Sequence, residues 1–147
     1  MAMEGLVALY QSDETLAEFI NLRPSGAGLS QFDVFRGVKI GHVRAPLTRG
    51  FVIDTSYSPN RARDDWHAFL EQIQHPRYLQ LLKHTGGAHK ADLYHLWEAE
   101  HNEADAFVTL DTKFVNAVTL PRPLRTTVKI CTPFQFLEWV SQLRSAV

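Results

Sequence analysis

Three stretches decide the fold: Ala91-Asp92-Leu-Tyr-His-Leu-Trp-Glu-Ala-Glu100, Ala104-Asp105-Ala-Phe-Val-Thr-Leu-Asp111-Thr-Lys-Phe114 and Val128-Lys-Ile-Cys-Thr-Pro-Phe-Gln-Phe-Leu137. In the first, Leu93, Leu96 and Trp97 recur at helical spacing, so a helix is expected from about residue 90 to 101. Asp92 falls in its opening turn, where the helix dipole favours a carboxylate. In the second, Ala106-Phe-Val-Thr-Leu110 has the apolar, β-branched character of a strand covered on both faces, and Asp111 stands just past its C-terminal end. In the third, Val128-Lys-Ile-Cys131 is a further strand. Thr132-Pro133-Phe-Gln135 then opens a helix, with Thr as N-cap, Pro at the first helical position and Gln at the capping-box position. Phe136, Leu137, Val140 and Leu143 continue it as an apolar stripe.

The rest of the chain is read outward from these. Residues 6–10 form a short apolar strand, and Ser12 sits where the N-cap of a helix over residues 13–22 belongs. Arg23-Pro24-Ser-Gly-Ala-Gly28 stops that helix. Residues 38–40 and 51–53 are short strand candidates within loops rich in Gly, Pro and Arg. Residues 64–74 read as a helix with Trp66, Phe69, Leu70 and Ile73 on one face. Pro76 permits a second helix, and Thr85-Gly-Gly87 ends it. Strands alternating with helices indicate an α/β fold with a mainly parallel sheet.

The chain has 147 residues, enough for one domain spanning 1–147 with a core that needs no disulfide. A single cysteine, Cys131, points to a reducing compartment, and the expected location is cytoplasmic. No apolar run reaches the roughly 18 residues of a membrane span, and the start, Met1-Ala-Met-Glu-Gly, has neither the basic nor the apolar region of a signal peptide. A formal charge of −1 excludes a general polyanion binder. The charge is nonetheless arranged in blocks. Residues 1–22 and 64–111 are acidic, while 23–63 and 112–147 are basic. A fold can therefore gather carboxylates at one place and set Arg and Lys around it, although a solvated surface of mixed sign has the same pattern.

In open parallel sheets, sites form at the carboxyl ends of strands beside the openings of helices. Asp92 and Asp111 occupy such positions, and Glu18 lies on a helix that follows a strand in the same sense. Acids that converge repel one another unless a hard cation neutralises them, and Mg²⁺ or Mn²⁺ suits such oxygen donors. Taken singly, Asp92 reads as a first-turn acid, Asp111 as a turn residue and Glu18 as a solvated helix residue.

The same stretches resemble the C-terminal half of a PIN domain. Asp92-x-x-His-Leu-x-x-Ala opens a helix, Thr109-x-Asp111-x-x-Phe114 ends a strand, a further strand follows, and a Thr-Pro pair starts the final helix. Residues 6–20 resemble, more weakly, the second strand of that family and the helix carrying an acid at the position of Glu18. The resemblance implies a three-layer PIN-like fold, a mainly parallel central sheet flanked by helices. It also implies a metal-dependent endoribonuclease, often the toxin of a toxin–antitoxin pair. Glu18, Asp92 and Asp111 match its catalytic and metal-binding acids, Thr109 matches its hydroxyl position, and Mg²⁺ or Mn²⁺ is the implied cofactor. RNA, an antitoxin protein and a second copy of the chain are the implied partners, with bases from residues 36–63 and 113–129 on the RNA backbone. PIN domains usually open with a strand ending in Asp-x-Asn or Asp-x-Ser, and this chain begins where the second strand belongs. Gly50-Phe-Val-Ile-Asp54-Thr-Ser56 reads as a displaced version of that opening.

Other chemistry is poorly supported. No histidines stand at i, i+4, and His95, one turn from Asp92, is read as a helix residue beside the acids. There is no Gly-x-Ser-x-Gly elbow, phosphate loop or dinucleotide fingerprint. Trp66, Trp97 and Trp139 fall in apolar stripes and are read as core. The other functional class is a PIN-like sheet without catalysis, serving as a binding or oligomerisation module.

Overall fold

A computed structural model describes residues 7–12, 40–47 and 59–145, with side chains from residue 64 onward in the last of these segments. The described elements run β1 (Leu9–Ser12), β2 (Ile40–Val43), α1 (Pro59–Gln72), α2 (Pro76–His84), α3 (Lys90–His101), β3 (Ala106–Val108), α4 (Thr112–Thr119), β4 (Lys129–Cys131) and α5 (Pro133–Ser145). The protein is thus mixed α/β, as its alternating periodicities require. The chain divides into two compact units, Met1–Phe69 and Leu70–Val147.

In the first unit, β1 and β2 pair in parallel with Tyr10 opposite Gly41. A Cβ at position 41 would lie 2.6 Å from the exposed Tyr10 ring, which covers the glycine and would have to shift to admit a side chain. The strand expected at 6–10 lies slightly later in the chain, and Ser12, expected as a helix N-cap, is its buried last residue. Of the strand expected at 38–40, residues 38 and 39 fall outside the described residues, and Ile40 is the first residue of β2. The helix over 13–22 and the strand over 51–53 fall outside the described residues, as do Glu18 and Asp54.

In the second unit, β3 and β4 pair in parallel with Phe107 opposite Ile130. Helix α5 packs on both strands, α3 touches β3, α4 touches β4, and α2 packs on α3. The core holds Leu70, Tyr78, Leu81, Leu93, Tyr94, Leu96, Trp97, Phe114, Val118 and Cys131. The rings of Tyr78, Tyr94 and Trp97 meet at tilted or edge-on angles with centroids 5.9 to 6.4 Å apart, the arrangement that ring quadrupoles favour. Arg77 locks α2 to α3 from the rim. Its guanidinium grips the Glu100 carboxylate through both Nε and Nη2, and Nη2 also donates to the Arg125 carbonyl.

Several expectations are met here. Helix α3 has the predicted bounds, with Leu93, Leu96 and Trp97 inward. Thr132 and Gln135 form the reciprocal capping box: the Thr132 amide donates to Gln135 Oε1 at 2.9 Å, and the Gln135 amide to Thr132 Oγ1 at 3.4 Å. Pro76 stands at the start of α2, and Gly86 and Gly87 beyond its end take the left-handed conformation that glycine permits.

Among the described residues the strands form two sheets of two strands each, which establishes the mixed α/β class but not a single central sheet between helical layers. Other expectations need correction. The strand expected to be covered on both faces is only β3; Val108 is exposed, and Leu110 is 85% exposed. With a single hydrogen-bonded neighbour among the described residues, β3 keeps an open edge, and its apolar run extends past the pairing into a turn. The stripe on α5 is only partly covered. No residue of that helix is buried, and Leu137 and Leu143 are exposed; among the described residues the sheet beneath it is two strands wide. Trp139 is therefore not core. Its ring is half-buried on that sheet with Lys129 Nζ 5.5 Å from its centroid. Helix α1 begins earlier than the expected residue 64, with Pro59 as its first residue, and α4 was not foreseen at all.

Candidate metal centre

The site lies in the second unit, where two helices begin close together. Asp111 leaves the end of β3 and becomes the N-cap of α4, in extended conformation at φ −76° and ψ 90°. Its Oδ1 accepts from the Phe114 amide at 3.0 Å, satisfying one of the orphan donors of the first turn. Its own amide donates to Thr109 Oγ1 at 3.1 Å. The Thr109 hydroxyl thus fixes the turn that aims Asp111. Apolar Phe114, Val115 and Val118 bury the inner face of α4. That spacing, with a capping Asp before it, was the unused sequence signal for this helix.

Asp92 stands in the first turn of α3, as expected. The N-cap of α3 is His89, held in the left-handed region at φ 57° and ψ 37° with no hydrogen bond from its side chain to the helix. Its Nδ1 lies 3.9 Å from Asp92 Oδ2 and 3.8 Å from Asp111 Oδ2. One donor atom from each of the three residues falls within 4.8 Å of the others. The imidazole ring rests against Phe114, with centroids 5.6 Å apart. All three side chains are partly exposed, Asp111 the most, so the cluster opens to solvent.

The two carboxylates singled out by the sequence are therefore brought together, while Glu18 lies outside the described residues. His95, the histidine expected beside the acids, pairs instead with the buried Glu98, its Nδ1 2.5 Å from Oε2. The sequence presents His89 only as one of four histidines close together, with His84, His95 and His101, and does not assign it to the site. The signal left unused is its place immediately before the helix that carries Asp92.

The donor set fits a divalent cation. Two ligands each about 2.1 Å from one ion lie no more than about 4.2 Å apart, so the His89 distances need little change for a shared ion. Two carboxylates and an imidazole also supply the charge and lone pairs such an ion requires.

The chain matches no protein-family model, no curated protein and no solved structure. Among the described residues, no helix is long and apolar enough to cross a membrane.

Proposed function

We propose that this protein is a metal-dependent endoribonuclease of PIN type that hydrolyses RNA phosphodiester bonds, with Asp92 and Asp111 as its metal ligands. The observation that carries the reading is the meeting of these two carboxylates across separate helix starts, beyond the C-terminal end of β3. Parallel strand pairing and the Thr109-fixed turn at Asp111 agree with it. When bound, a divalent cation supplies an activated water and charge stabilisation on a phosphodiester. Asp111 divides its labour: Oδ1 is held by the Phe114 amide while Oδ2 faces the cluster. The first turns of α3 and α4 both open at the site, so their backbone N–H dipoles favour an incoming phosphate. Lys113 is exposed and stands two residues past Asp111 in the chain. Mg²⁺ or Mn²⁺ as the ion, Glu18 as a third acid, an antitoxin partner and a homodimer rest on the family resemblance.

The test is cleavage of RNA in the presence of Mn²⁺. Asp92→Asn and Asp111→Asn each remove a negative charge while keeping side-chain shape, and each is expected to lower cleavage by at least about a hundredfold, close to 3 kcal/mol of transition-state stabilisation. Cleavage that survives both substitutions unchanged would refute the assignment.

A further inference from the structure

We infer that His89 is a ligand of this centre and that its nitrogen makes the site select a transition-metal ion such as Mn²⁺ over Mg²⁺. The inference deepens the metal-dependent reading above and rests on it.

The chain has two histidine N-caps, and they behave differently. His75, the N-cap of α2, is in ordinary extended backbone, and its Nδ1 accepts from the Arg77 amide at 3.3 Å. That ring caps its helix. His89 makes no such bond to α3, and its Nδ1 faces two carboxylate oxygens instead. Its backbone is left-handed, a conformation that a residue with a Cβ adopts only at a cost. Capping does not require that cost, since Ser or Asp in extended backbone would cap α3 better. What the left-handed turn accomplishes is to bring the imidazole between Asp92 and Asp111, backed by the fully buried Phe114.

The selectivity follows from the donor chemistry. Mg²⁺ prefers oxygen ligands in near-ideal octahedral geometry and gives up water reluctantly. Mn²⁺ takes oxygen ligands as Mg²⁺ does, but it opens the first-row transition series, whose affinity for sites containing nitrogen rises from Mn²⁺ through Fe²⁺, Co²⁺ and Ni²⁺ to Cu²⁺. A site of carboxylates alone accepts Mg²⁺ and Mn²⁺ alike, and adding one imidazole nitrogen tips the balance toward Mn²⁺.

The experiment is a Mn²⁺ titration of the full chain, followed by calorimetry and by pulsed electron paramagnetic resonance, with Mg²⁺ as competitor. In the wild-type protein, bound Mn²⁺ should show hyperfine coupling to a ligand nitrogen. His89→Asn tolerates the left-handed backbone and offers oxygen in place of nitrogen. It should abolish the coupling and weaken Mn²⁺ by about tenfold or more, with Mg²⁺ changed by less than about threefold. His89→Gly, which suits the backbone and removes the ring, should do the same, so a folding defect in one variant leaves the other to decide. Absence of nitrogen coupling, or equal loss of both ions in the variants, overturns the role of His89. If in that case Asp92→Asn and Asp111→Asn still abolish Mn²⁺ binding and RNA cleavage, the nuclease reading stands alone. If wild-type protein binds no Mn²⁺, both fall.

Discussion

Tyr78 shows how much one side chain can couple. It is fully buried between α2 and α3, and its hydroxyl donates to the Lys90 carbonyl at 3.0 Å, one residue past the His89 cap. Burial pushes its phenol from 10.0 up to about 12. A raised folded-state value means that the folded protein holds the proton after the unfolded chain has released it. Stability from this group is therefore complete below pH 10 and declines as pH rises toward about 12. Tyr78→Phe should cost about 1 kcal/mol at neutral pH, from the lost hydrogen bond, and should flatten the decline between pH 10 and 12. Urea unfolding across that range checks both, and an unchanged alkaline slope counts against the assignment. Cys131 follows the same logic without the consequence. Burial pushes its thiol up, which keeps it protonated at the end of β4.

At the scale of the element, helix starts do most of the work. Asp111 both caps α4 and faces the metal cluster, and the two roles separate by substitution. Asparagine caps a helix about as well as aspartate, whereas alanine cannot cap at all. Asp111→Asn should therefore leave thermal stability nearly unchanged while removing metal affinity. Asp111→Ala should lose affinity and also about 1 kcal/mol of stability. Equal stability in the two variants, measured by chemical denaturation without metal, would show that the Phe114 amide does not depend on Oδ1. The capping box of α5 and the Pro76 start of α2 were legible from residue order alone, because a capping bond is made within three residues of chain. The start at Asp111 was equally local. It went unread because an Asp after a strand is as readily a turn residue, and only the burial of Phe114, Val115 and Val118 distinguishes the two.

For the whole molecule, the proposal predicts linkage between metal and folding. A cation that binds only the folded cluster stabilises it by mass action. At about one hundred times its Kd, Mn²⁺ should raise unfolding free energy by about 2.7 kcal/mol, and a chelator should reverse the gain. An unfolding curve indifferent to Mn²⁺, in a protein that is dimeric, would favour the binding or oligomerisation module instead. Neither the long-range pairing nor the partition into two units was readable from composition. The expectation of one central sheet joined the strand segments by analogy, whereas the described strands pair only as β1 with β2 and β3 with β4.

By itself the sequence determined what is local: the helical stripes and bounds of α3, the Pro76 start of α2 and the Thr132 cap, the break at Gly86 and Gly87, and the placing of Asp92 at a helix start and of Asp111 just past a strand. These depend on spacing and backbone preference within a few residues. Tertiary structure alone decided which strands pair, how far α5 is covered, and that His89 rather than His95 faces the two carboxylates. Those outcomes turn on contacts between residues distant in the chain and on one left-handed backbone angle, and no short-range pattern encodes either.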